Sequence, residues 1–342
     1  MEIQFNNERE HINYNLVKNA NILFPEMSKD GRIFHYTSTA GLEGILSNKK
    51  LYFTNIRYMN DKNEILAGME CLAKKLNIPK DKFLELVHRR KNLGEQNFVC
   101  CFSYEQNSLP LWNYYCKDVN NRGFNIEFNA RSLIESILKS NPCLEGCSIA
   151  YGDVDYCNEN CSTYSDVYAN KLTSLYMLDF INFCINSCTM SEEISKEIPS
   201  SRIEELNSAI ENAQKSSVSD NLPVYFFDGS SCCFGKSINR DYMNFIKDSH
   251  FSQEREFRII VSVPDSQLLR LKEQGAYKLR ISNGIITPYL ELSFSLNSVT
   301  CITISPMNKN ELVTNSVYEL LFYSGLKPDY SLIKNSKIPV RF

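Results

Sequence analysis

The sequence predicts an α+β fold, a mostly antiparallel sheet carrying helical additions. Two observations point there. Late in the chain EFRIIVSV, AYKLRI, YLELSF and VTCITIS form a run of strands with alternating or continuous apolar character. Helical spacing is found mainly at 64–88 and 165–217, the second of which reads as an insertion.

Taken in order, Ile12, Leu16, Ile22 and Leu23 have loosely helical spacing, so 9–24 reads as a helix within an N-terminal extension, residues 1–30. RIFHYT reads as a strand after the turn-like SKDG. Ser38 or Thr39 can cap a helix through Leu42, Ile45 and Leu46 that stops at Asn48, and LYFT follows as a second strand. Pro79 divides the 64–88 stretch into two helices. FVCCFS returns to strand character, and GFNIEF alternates cleanly, with Phe124, Ile126 and Phe128 on one face and Asn125 and Glu127 on the other, which predicts a half-buried strand. An apolar-rich helix followed by a polar one makes about 165–220 a helical insertion. VYFF, a helix near 238–248, the strand run and a last helix over 309–325 complete a single domain spanning 31–342.

Composition narrows the function. The chain has 342 residues, 43% hydrophobic and 23% charged, with 13 glycines and 11 prolines, which excludes fibrous and wholly disordered classes. A net charge of −3 gives no global field toward phosphate backbones or acidic membranes. No run approaches 18 apolar residues and the opening is too charged for a signal peptide, so the expectation is a cytoplasmic protein with no membrane partner. Thirteen cysteines, many inside apolar runs, predict reduced thiols and no disulfide-linked partner. Cys143, Cys147, Cys157 and Cys161 form two C-x3-C pairs, but the spacing is looser than a zinc knuckle and no histidine is near, so no metal is expected.

Four features could carry chemistry. In Gln253-Glu254-Arg255-Glu256-Phe257-Arg258, period 2 sends Phe257, Ile259, Val261 and Val263 to the core and gathers Glu254, Glu256 and Arg258 on the other face. That face is either a site for a cation or sugar hydroxyl, or a solvated surface with an ion pair. His35 shares its strand face with Ile33 and Thr37, as a hydroxyl or proton partner or as a structural histidine. In NIRYMNDKNE, Asn60 and Asp61 favour a turn and Glu64 starts the next helix, which Asp61 can simply cap. Ser103 at a strand end is followed by the only tryptophan, Trp112, which with Tyr114 and Tyr115 is a stacking wall for a flat ring or else a core anchor. No P-loop, G-x-G-x-x-G, HExxH or G-x-S-x-G occurs.

The segments FHYTSTAGLEGILSNKKLYFTNIRYMNDKNE, CFSYEQNSLPLWNYYCKDVNNRGFNIEF, FSQEREFRIIV, ITISPMNKNE and SKIPVRF, in that order from Phe34 to Arg341, resemble the bacterial DUF 2971 family. That family in turn resembles distant ADP-ribosyltransferases. The resemblance implies a split sheet with NAD, as substrate, in the cleft between its halves. It gives His35 the NAD ribose, Glu256 the nicotinamide-ribose hydroxyl, Glu254 the position two before it, and Ser103 a buttressing role. The aromatic that flanks the nicotinamide would be Tyr52 or Tyr58. Tyr36, Thr37, Trp112, Tyr115 and Arg258 would complete the NAD-binding set. The implied function is ADP-ribosyl transfer to a protein or nucleic acid, in phage defence or as a toxin, with NAD hydrolysis as a variant using the same site. A non-catalytic nucleotide- or protein-binding sensor is the alternative, and a metal-dependent nuclease built on Asp61, Glu64, Glu254 and Glu256 a third reading.

Overall fold

The computed structural model describes residues 11–13, 31–59, 95–116, 122–157, 224–228, 231–234, 244, 246–282, 284–327 and 329–339. The first half contains β1 (His11–Asn13), β2 (Arg32–Thr37), α1 (Thr39–Asn48), β3 (Lys50–Asn55), β4 (Glu95–Ser103), α2 (Leu109–Tyr115), β5 (Phe124–Asn129), α3 (Ala130–Ser140), β6 (Ser148–Asp153) and β7 (Asp155–Cys157). The second contains β8 (Val224–Asp228), β9 (Ser231–Phe234), β10 (Ile246–Asp248), β11 (Glu256–Pro264), α4 (Asp265–Glu273), β12 (Tyr277–Ser282), β13 (Ile285–Ser293), β14 (Val299–Ile304), α5 (Val313–Ser324) and β15 (Ile333–Asn335).

Local chemistry sets the boundaries near the N-terminal half of the sheet. The Ser38 hydroxyl accepts from the Gly41 amide at 3.0 Å and starts α1, while Lys49, left-handed at φ 54°, ends it and turns the chain into β3. The sheet runs β1-β9-β8-β6-β11-β4-β2-β5-β14-β15, with β3, β13 and β12 forming a wing attached at β4. Every pairing in it except β14 with β15 is antiparallel, as the strand run predicts. β4 is where the sheet divides. One edge of β4 carries β11 along its whole length, and the other edge meets β2 at Phe34↔Ser103 but β3 at Thr54↔Val99 and Asn55↔Phe98.

One sheet face holds the main core, where Ile33, Phe53, Phe98, Phe102, Phe128, Phe257 and Leu290 pack with Leu42 and Leu46 of α1, Leu133 and Ile137 of α3, and Val317 and Leu321 of α5. The opposite face carries two smaller clusters, Phe34, Tyr36, Leu111, Trp112 and Cys116 beneath α2, and Ile56, Val99 and Ile260 beside the wing. Trp112 is fully buried, with its ring edge-on to Tyr36 at 4.8 Å. Trp112→Ala should therefore cost about 3–5 kcal/mol of stability, read as a lowered urea midpoint, by cavity formation and loss of the aromatic pair.

Several expectations need correcting. β5 is buried on both faces, because α2 and the chain around Ile338 cover the side bearing Asn125 and Glu127. Residues 246–248 form strand β10 rather than the end of a helix, and Ile12 lies in β1, paired with β9, rather than in a helix. β11 begins at Glu256, so Glu254 is not a strand residue: it ends a 3-10 turn, Ser249–Glu254, and Arg255 follows in the left-handed region at φ 42°. The expected helices over 64–88 and 165–220, the rest of the 1–30 extension, and Asp61 and Glu64 lie outside the described residues. Among the described residues no helix is long and apolar enough to cross a membrane.

Candidate functional site

The face that β11 turns away from the main core is buried too, which removes the alternative of a solvated surface there. Glu254 and Glu256 are each 5% exposed and Arg258 1%. Charges taken this far from water require close partners. Arg258 grips Glu256 through two parallel bonds, Nε to Oε1 at 2.8 Å and one terminal nitrogen to Oε2 at 3.0 Å, and its other terminal nitrogen donates to the Asn244 carbonyl. Lys247 on β10 donates to both carboxylates, at 2.8 Å to Glu254 Oε2 and 3.1 Å to Glu256 Oε2. The Tyr115 hydroxyl, at the end of α2, donates to Glu254 Oε1 at 3.2 Å, and the Glu256 amide donates to the Tyr156 hydroxyl at 2.7 Å. Ser103 donates its hydroxyl to the Glu254 carbonyl at 2.6 Å, and this bond pins the 3-10 turn onto the end of β4.

The two carboxylates are driven apart in protonation. Burial raises the Glu254 carboxyl above its ordinary range in spite of Lys247. Burial acts in the same sense on Glu256, but the Arg258 guanidinium with its paired bonds and the Lys247 ammonium outweigh it and hold that carboxyl at about 2. Glu256 is thus held as a negative charge, and Glu254 is the member of the pair that keeps its proton more readily. Such separation within one pair is how sites divide acid–base from electrostatic roles.

Glu254, Glu256, Arg258, Ser103 and Tyr115 come together; the other sequence candidates do not join them. Register explains why. Glu256 pairs with Ser103, and Ser103 with Phe34, so these three share one face of the sheet and His35, next along β2, takes the other. His35 is half-buried there, with its ring 5.5 Å from Phe102 and Nδ1 3.0 Å from the Cys101 carbonyl, and burial lowers its basicity. Thr37 lies on the His35 side, against Gly41. Tyr36 is on the Glu256 side but closed under α2, donating to the Glu105 carbonyl and accepting from the Ser108 amide. Trp112 is the core anchor of that cluster rather than an open wall. Tyr52 and Tyr58 sit beyond the division of the sheet, Tyr52 against Tyr289 at 4.6 Å.

Sequence reasoning missed Lys247, Asn244 and Tyr156. Lys247 lies only seven residues before Glu254, but nothing in its local pattern marks a buried ammonium. Cys147 is buried and Cys143 half-buried, Cys161 lies outside the described residues, and among the described residues no group of three potential metal ligands occurs.

No curated protein and no solved structure matches the chain. Residues 111–259, which run from α2 into β11 and include Tyr115, Lys247, Glu254, Glu256 and Arg258 but not Ser103, match the model of the family described as a protein of unknown function, DUF2971, and over that stretch the family likeness drawn from the motifs is supported.

Proposed function

We propose that the Glu254–Glu256 cluster is the reactive centre of an ADP-ribosyltransferase that takes NAD as substrate and a protein or nucleic acid as acceptor. The observation that supports this most is the carboxylate pair itself, two buried glutamates bridged by the Lys247 ammonium, of which Glu256 is also gripped by the Arg258 guanidinium. In the reaction the bond from ribose C1′ to the nicotinamide nitrogen breaks and nicotinamide leaves with the electron pair. Glu256 stabilises the oxocarbenium charge that develops, much as a glycosidase carboxylate does. The acceptor bonds to C1′, and Glu254 takes its proton. Lys247 stands on a three-residue strand that among the described residues pairs only with β7, outside the main sheet, and is the cation that gives way to substrate. His35 has no part in this site, since it faces the other side of the sheet.

One observation favours the alternative of a non-catalytic binding module: all four carboxylate oxygens already accept hydrogen bonds from within the chain. Incubation with labelled NAD, alone and with cell lysate, separates the readings. Transfer predicts nicotinamide release together with labelling of a macromolecule, and release without labelling indicates NAD hydrolysis. Neither release nor NAD binding would leave the binding module.

A further inference from the structure

A second buried carboxylate lies on the same face of the sheet as the Glu254–Glu256 cluster. One row of paired residues crosses the strands as Glu256↔Ser103, Ser103↔Phe34, Phe34↔Glu127 and Glu127↔Cys301. Glu127 of β5 therefore stands three strands from Glu256, about 14 Å away at ordinary strand spacing. It is 6% exposed, and Asn125, two residues earlier on the same side, is 1% exposed. A charge this far from water calls for a counter-charge. Among the described residues no ammonium or guanidinium hydrogen-bonds to Glu127, and Lys334, in register with Thr303, is exposed on β15 and makes no ion pair with it.

Two oxygens at this place are left over. The Thr300 hydroxyl donates to Glu127 Oε1 at 2.9 Å, while Oε2 is buried with no hydrogen-bond partner. Asn125 Nδ2 donates to the Gln106 carbonyl at 2.8 Å, which fixes the amide with Oδ1 turned the other way, and Oδ1 is likewise buried with no partner. The neighbouring strand is irregular here. Val299 pairs with Phe128 and Cys301 with Glu127, so Thr300 is an extra residue, and its exposed position brings solvent to the edge of the carboxylate. Thr303, paired with Asn125, adds a further hydroxyl to the same face.

We propose that Glu127 Oε2 and Asn125 Oδ1 hold a monovalent metal cation, potassium or sodium, at the irregularity between β5 and β14. Carboxylate, amide and hydroxyl oxygens are hard donors that suit such ions. Charge count selects them over calcium or magnesium. A single carboxylate among neutral oxygens balances one positive charge, whereas calcium sites gather several carboxylates, and among the described residues no group of three Asp, Glu, His or Cys side chains placed to hold a metal occurs. A water can satisfy two acceptors but leaves the buried charge uncompensated. The inference goes beyond the proposed NAD chemistry and does not depend on it.

Thermal unfolding of the full chain in potassium, sodium and choline chloride, at one ionic strength, tests it. Potassium or sodium should raise the wild-type melting temperature saturably, by about 2–5 °C over choline. Glu127→Gln should melt alike in all three salts and, in choline, above the wild type, because the uncompensated charge is gone. A glutamate that serves only the packing predicts the opposite sign in choline. Thallium(I), a probe that substitutes for potassium, should show a thallium-205 resonance broadened by the wild-type protein and restored by excess potassium or sodium, which keeps the test decisive if Glu127→Gln does not fold. Equal melting of the wild type in the three salts, a cation response that survives Glu127→Gln, a Glu127→Gln protein less stable than the wild type in choline, or a thallium signal that neither cation restores would each overturn the proposal.

Discussion

Arg258→Met is expected to lower the unfolding free energy by about 3–5 kcal/mol, the cost of breaking a buried ion pair and leaving one charge behind. Glu256 would keep only Lys247 of its two cations, in a setting that is 5% exposed. The loss should be partly recovered in the double variant Glu256→Gln with Arg258→Met, since the uncompensated charge is then gone and only the packing and hydrogen bonds of the pair remain to be missed. Urea unfolding of the wild type, the two single variants and the double variant gives the coupling directly. Acid titration provides an internal check. The folded-state value of Glu256, about 2, lies below the ordinary 4.5, so its contribution is complete above pH 4.5 and disappears as pH falls toward 2. Without Arg258 that value rises toward the ordinary one, so the variant, less stable at neutral pH, should lose less further stability than the wild type between pH 4.5 and 2.

Glu256→Gln carries the second large expectation, this time on rate. Glutamine preserves shape and one acceptor but removes the fixed negative charge, so if the cluster performs ADP-ribosyl transfer, nicotinamide release should fall by about 100- to 1000-fold while NAD affinity changes little. The loss then belongs to the transition state. Glu254→Gln should instead spare nicotinamide release and reduce label transfer to the acceptor, because its expected part is to take the acceptor's proton. Release of nicotinamide by Glu256→Gln at the wild-type rate would remove Glu256 from the chemistry and leave the cluster a structural ion network.

The two effects are linked through one geometry, and the sequence shows only part of it. Alternation in FRIIVSV marks Phe257, Ile259, Val261 and Val263 as core and Glu256 and Arg258 as their opposites, and the structure agrees. Within β2 the same arithmetic correctly sets His35 on the face of Ile33, a core residue. What period 2 cannot supply is the phase between strands. That phase is fixed by two long-range pairings, Phe34↔Ser103 and Ser103↔Glu256, and a shift of one residue in either would have brought His35 to the side of the carboxylates. Sites assembled from several strands are legible one strand at a time, and their convergence is not. Lys247 illustrates the other gap. A lysine on a short strand reads as solvent-facing, and its burial follows from a charge requirement set by residues that a local window does not weigh together. The polar side of β5 failed for the same reason, because α2 and the residues near Ile338 arrive from distant sequence to cover it.

The position of β4 has a consequence for how the chain acquires its structure. During synthesis β4 is complete about 150 residues before the strand that fills one of its edges, β11, has been made. At ordinary elongation rates that interval is on the order of 10–30 s. Throughout it the apolar side chains of NFVCCF and a row of unpaired amides stand open on the nascent chain, the condition under which intermediates aggregate or recruit chaperones. The same long separation raises the contact order and slows refolding from denaturant. A fragment cut at the limits of the family match, 111–259, would lack β4 altogether and end within β11, so expression trials with this protein should keep both strands on one chain.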